Sequence, residues 1–153
     1  MDHKLRASEL FLQGYNCAQA VVVSFCDLTG MKEKQAARMA SAFGGGMGRM
    51  REVCGAVSGM FMVLGLLYGY DDPEDNAGKK ALYADVQALA AEFRQETGSI
   101  VCRELLKNPP SDPNPTPRTA DFYQKRPCER MVMLAAALLD EFIEAHPLEI
   151  AHG

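Results

Sequence analysis

The chain has 153 residues, a net charge of −4, and 48% hydrophobic against 24% charged residues. That is enough for one ordinary domain and short for two, and it is far from the polar, highly charged composition of a disordered chain. Lysine and arginine are dispersed along an acidic polypeptide, so nucleic acid is not an expected partner. Met1 to Arg6 lead into an amphipathic stretch without the apolar run and small-residue cleavage site of a secretory signal, and a cytoplasmic protein is expected.

Leu5, Leu10 and Phe11, with Arg6 and Glu9 facing outward, predict a short helix over Leu5–Gln13 that stops at Gly14. Asn16 caps a second helix, Cys17–Leu28, ended by Thr29-Gly30. Met31–Phe43 follows the helical period, with Ala36, Met39, Ala40 and Phe43 on one side, and runs into Gly44-Gly45-Gly46. From Val53 to Tyr70 eighteen residues carry no charge, just long enough to span a membrane. The run contains Gly55, Gly59, Gly65 and Gly69, however, and lacks the flanking charge asymmetry of a span; a helix apolar all round also suits the centre of a helical domain. A membrane span is the less favoured reading, and a helix over about Met50–Tyr68 is expected.

A long helix follows from Glu74 or Asn76 to Thr97, with Leu82, Val86, Leu89, Ala90 and Phe93 on its apolar face and Gly98 as its stop. Ser99 caps another over Ile100–Lys107. Asn108–Thr119 holds five prolines, cannot continue a helix and reads as an extended surface loop over 108–119. A last helix runs from Pro127 to about Ala145, with Pro127 at its first position. No strand and no internal repeat is evident. The expected fold is all-α: one compact domain over 1–153, a bundle of about six or seven helices around the glycine-rich apolar helix.

Five cysteines, Cys17, Cys26, Cys54, Cys102 and Cys128, are an odd, dispersed set that does not suit a secreted disulfide scaffold. Cys17, Cys102 and Cys128 fall in predicted first turns, and Cys54 makes a fourth. Free N–H groups and the macrodipole at a helix start favour negative charge by roughly 0.3–1 kcal/mol, up to about 2 when partly buried. That selects thiolate, which is nucleophile, electron donor and metal ligand. Arg51, Arg103 and Arg126 lie close in sequence and add to the effect, while Glu129 opposes it. Cys26 falls in a last turn, on the face opposite Cys17, and reads as a core residue outside the site.

Gly55, Ala56 and Gly59 leave room for a partner helix to bring its own cysteine against Cys54, although two glycines cost about 2 kcal/mol in a helix interior. The Gly44–Gly48 loop has no preceding strand, no following Lys-Ser/Thr, and Arg49 in place of the last fingerprint glycine, so it reads as a close-packed connection rather than a phosphate cradle. The methionines read as core filling, and His3, His146 and His152, near the termini, as solvated.

Asn16-Cys17-Ala18-Gln19-Ala20, Gly44-Gly45-Gly46-Met47-Gly48 leading to Cys54-Gly55-Ala56-Val57-Ser58-Gly59, then Cys102-Arg103-Glu104-Leu105 and Cys128 together resemble the family of redox-active proteins named for its C_GCAxxG_C_C pattern. The likeness covers most of the chain and implies that Cys17, Cys54, Cys102 and Cys128 are the family's four defining cysteines, in a redox or metal-handling protein.

Three functions follow. The first is dithiol/disulfide chemistry or electron transfer, a thiol-based oxidoreductase with Cys54 as the leading nucleophile and Cys17, Cys102 or Cys128 resolving; a redox partner protein fits this reading, and it needs no cofactor. The second is a metal site, zinc or an iron–sulfur cluster, on Cys17, Cys54, Cys102 and Cys128. The third is a structural or interaction domain with inert cysteines. A glycine-packed bundle of this size also leaves apolar area suited to a homodimer.

Overall fold

A computed structural model describes residues 1–149. It is all-α over those residues: α1 (His3–Leu12), α2 (Cys17–Ser24), α3 (Cys26–Thr29), α4 (Glu33–Ala40), α5 (Gly55–Tyr68), α6 (Asn76–Thr97), α7 (Cys102–Leu105), α8 (Ala120–Lys125) and α9 (Cys128–Ala145). Among the described residues no helix is long and apolar enough to cross a membrane.

The caps expected from the sequence are in place at α2, where Asn16 and Gln19 form a reciprocal box: the Gln19 N–H donates to Asn16 Oδ1 at 2.9 Å and the Asn16 N–H to Gln19 Oε1 at 3.0 Å. Asp75 caps α6, and Gly98, at φ 91°, ends it. Several boundaries move. The helix expected over Cys17–Leu28 breaks at Phe25 (φ −105°, ψ 12°), which makes Cys26 the first residue of the short α3. The helix expected from Met50 begins only at Gly55, because the chain before it is pinned to a second segment. Val53 and Val101 form a single antiparallel bridge, with the Cys54 N–H donating to the Ile100 carbonyl at 2.7 Å and the Cys102 N–H to the Glu52 carbonyl at 2.6 Å. The helix predicted from Ile100 therefore shrinks to the one turn of α7. Helix α8, between the proline-rich segment and α9, is capped by Thr119.

Helix α2 packs on α1, α4, α5 and α9, so the glycine-rich α5 shares the centre with it. The first turns of α5 are buried from Gly55 to Met60, whereas Leu66 near its end is 47% exposed. The core joins Phe11 of α1, Val21 and Val22 of α2, Val57 and Leu64 of α5, and Val132 and Leu139 of α9. On α4 Ala36 and Ala40 are buried, but Met39 is exposed, as is Leu5 on α1.

The expectation of solvated histidines fails at His3, which is buried. Its ring stacks on Phe25 at 4.1 Å, with Nδ1 2.7 Å from Asp140 Oδ1 and Nε2 2.9 Å from Asp27 Oδ1. A terminal position in sequence says little here, because those contacts come from α3 and α9. His146 is exposed, and His152 lies outside the described residues. Replacing His3 by alanine removes the clamp that ties α1 to both helices; the two carboxylates keep partial access to water, so the expected loss is about 1–2 kcal/mol, read from urea denaturation.

Candidate functional site

Four cysteines distant along the chain line one cavity of about 470 Å³: Cys17, Cys54, Cys102 and Cys128. Each stands at a helix start. Cys17, Cys102 and Cys128 are the first residues of α2, α7 and α9, and Cys54 is the residue that caps α5. Cys26 lies outside the cavity, with its Sγ 3.8 Å from the Val22 carbonyl oxygen of its own segment. All five thiols are free.

Close backbone approach makes the convergence sterically feasible. A Cβ on Gly55 would stand 3.1 Å from both the Cys17 Cβ and the Ala18 nitrogen, so α2 lies against the bare start of α5, as the Gly55/Gly59 spacing suggested. Gly44–Met47 coils in the left-handed sense: φ is positive at Gly45, Gly46, Met47, Gly48 and Arg49, and again at Arg51. This reversed turn is closed by the Arg51 N–H donating to the Gly45 carbonyl at 3.2 Å and the Glu52 N–H to the Gly46 carbonyl at 2.8 Å. A Cβ on Gly46 would fall 2.5 Å from the Cys102 Cβ. The loop is thus the close-packed connection expected, and it also forms a wall of the thiol cavity.

The thiols are electrostatically unequal. Hydrogen bonding between the Cys17 and Cys128 thiols, helped by Arg126, Arg118 and Arg51, brings the Cys128 pKa down to about 7, while the same contact and burial push the Cys17 pKa well up. Burial pushes Cys54 up to about 12, against the lowering effect of the Ala56 and Val57 backbone N–H groups at the start of α5. Burial also raises Cys102, against Arg51, whose Nη1 lies 3.7 Å from the Cys102 Sγ. The helix-start argument therefore has the right sign at Cys54 and the wrong winner. A full burial penalty reaches roughly 3–5 pKa units, more than amide and dipole contacts return. Of the four thiols Cys128 is therefore the most readily ionised, where the helix-start argument alone pointed to Cys54.

Two flanking charges named from sequence are engaged elsewhere. Arg103 Nη2 pairs with Glu52 Oε1 at 2.6 Å, and Glu129 accepts from the Ser8 hydroxyl at 2.8 Å. Sequence reasoning missed Arg49 and Arg118 as wall residues. The Arg118 guanidinium lies 4.5 Å from the Phe11 ring centre and 4.9 Å from that of Phe122, and donates to the Phe11 and Tyr15 carbonyls at 3.1 and 3.0 Å. These partners are too distant in sequence for any local pattern to announce them. The proline-rich segment is more than a surface loop: Pro113, Pro115 and Thr116 line the cavity, and the segment is strapped down by Arg49 Nε donating to the Asp112 carbonyl at 2.7 Å and Arg51 Nε to the Pro110 carbonyl at 2.9 Å.

Among the described residues, no three His, Cys, Asp or Glu side chains are placed to hold one metal ion, so the four sulfurs share a cavity without closing to the spacing of a four-thiolate centre. What the arrangement offers is one thiol ionised near neutrality, a hydrogen-bonded partner thiol, and two further protonated thiols in a common space. No curated protein and no solved structure matches the chain. The model of the family described as "Putative redox-active protein (C_GCAxxG_C_C)" matches residues 15–142, a span that holds all four cavity cysteines, and the chain belongs to that family.

Proposed function

We infer that the protein is a thiol-based redox protein in which Cys128 is the attacking thiolate and Cys17 its resolving partner, cycling between a dithiol and a Cys17–Cys128 disulfide. One observation carries this reading: Cys17 and Cys128, the first residues of α2 and α9, face one cavity, and the interaction between their thiols is the largest cause of the lowered Cys128 pKa. A thiol with a pKa near ambient pH is the optimal attacker in thiol–disulfide exchange, and a neighbouring thiol already in contact needs little motion to resolve the mixed disulfide. Cys54 and Cys102 line the same cavity, within which the bond can pass on by exchange.

The test is mild oxidation of the reduced protein with diamide, followed by thiol counting and mapping of non-reduced peptides by mass spectrometry. The expected result is rapid loss of two thiols and recovery of a peptide joining Cys17 to Cys128, with Cys26 untouched. Retention of all five thiols, or a first link that involves Cys26, overturns the reading.

A further inference from the structure

The cavity wall carries a charge imbalance that thiol chemistry alone does not explain. Arg49, Arg51, Arg118 and Arg126 line it, and no Asp or Glu is among its lining residues, in a chain whose overall charge is −4. Arg51, Arg118 and Arg126 have no carboxylate partner among the described residues, and Arg49 meets Asp112 only at 4.0 Å. Most of their recorded hydrogen bonds go to neutral backbone carbonyls, which orient a guanidinium without cancelling its charge. Arg51 is 4% exposed, and its Nη2 is buried with no hydrogen-bond partner. A guanidinium cannot shed its proton, so a buried one left unneutralised is costly unless an anion completes the site. Arg49 is itself perturbed by burial and by the neighbouring Arg51, a sign of crowded like charge. One thiolate offsets one of four cations. The remaining excess, in a space of about 470 Å³, within the usual range of small-molecule pockets, calls for a ligand with negative charge of its own.

We propose that this cavity takes a small anionic disulfide, its carboxylate or other oxyanion groups seated on the guanidinium wall and its sulfur–sulfur bond presented to Cys128. The inference rests on the thiol-exchange reading above and names its substrate class. The Cys128 thiolate attacks one ligand sulfur; the ligand S–S bond breaks, one half departs as a thiolate, and a mixed disulfide forms on Cys128. The Cys17 sulfur then attacks the Cys128 Sγ, its proton passes to a departing ligand sulfur, and the second half leaves. Two electrons move from the cysteine pair to the ligand, which ends as two thiols, one of them ionised. A cavity lined by one sign of charge raises the rate for the opposite sign by roughly 10–10³, an effect that salt weakens.

The test compares oxidation of the reduced protein by three disulfides of similar size: dianionic 3,3′-dithiodipropionate, neutral bis(2-hydroxyethyl) disulfide and dicationic cystamine. The rate ratio between anionic and cationic reagents is the readout, because a change in the Cys128 thiolate fraction cancels in it. The expected ratio is on the order of 10² at low salt, falling several-fold in R51M and in R126Q, the second at a less buried position that keeps the test informative if the first fails to fold. A C17S/C128S variant, which cannot exchange at the proposed pair, should still show a raised melting temperature with adipate. Exchange at equal rates with all three reagents overturns the anionic substrate and leaves the thiol reading standing. Absence of exchange with all three overturns both, and in that case the adipate shift reports separately whether the guanidinium wall binds anions.

Discussion

Limited alkylation with iodoacetamide at pH 7 is expected to modify Cys128 first, well ahead of Cys54. With a pKa of about 7, Cys128 is half ionised at that pH, whereas Cys54, pushed to about 12, is ionised to roughly one part in 10⁵. Lower pKa also means a weaker nucleophile, and a Brønsted coefficient of about 0.4–0.5 returns some two orders of magnitude to Cys54. The net preference is about three orders before access is considered, which favours Cys128 again because Cys54 is buried. The rate at Cys128 should rise with pH through a midpoint near 7. Cys17→Ala removes the donor to the thiolate and should move that midpoint up toward the ordinary thiol value of about 8.5, whereas Cys17→Ser keeps an O–H donor and should move it less. Peptide-resolved mass spectrometry reads each site. A midpoint above 8.5 in the native protein, or first labelling at Cys54, would remove the basis for placing the attack at Cys128.

The same shifts leave opposite marks on stability. The depressed Cys128 pKa stabilises the reduced fold above the ordinary thiol range, and that contribution is lost as pH falls through about 7. The raised Cys54 pKa acts the other way: its contribution is complete below the ordinary value and is lost as pH rises toward 12.

The all-α class and the helix starts at Cys17 and Cys128 were legible because both are local signals. Asn16, Gly98 and Pro127 punctuate helices within a few residues, and the helix-start positions of Cys17 and Cys128 follow from Asn16 and Pro127. What escaped was non-local. Val53 pairs with Val101 across the fold and unwinds the helix starts expected at Met50 and Ile100. His3 finds its partners in Asp27 and Asp140, and Arg118 finds Phe11. The ranking of the thiols escaped for the same reason, since a cap is visible in four residues while burial is decided by every helix that packs above it.

The reversed turn before Cys54 makes the second large effect. Gly46 sits at φ 69°, and a Cβ there would meet the Cys102 Cβ at 2.5 Å, the Arg51 Cα at 2.8 Å and the Glu52 nitrogen at 2.9 Å. Two of these three are backbone atoms, held by the Val53–Val101 bridge and its flanking hydrogen bonds, so the clash cannot be relieved by a rotamer change. Gly46→Ala should therefore cost on the order of 4 kcal/mol, the sum of left-handed strain and overpacking, in chemical denaturation. It should also expose Cys102 to alkylation, because the segment displaced is the one that covers it. Gly48 is the matched comparison: φ is 57°, but an added Cβ would find only the Ala42 carbonyl oxygen, at 3.8 Å. Gly48→Ala then carries the strain without the clash and should cost only about 1 kcal/mol. Equal losses at the two positions would mean that the turn's handedness alone matters, and that the loop does not hold Arg51 and Cys102 in place by contact.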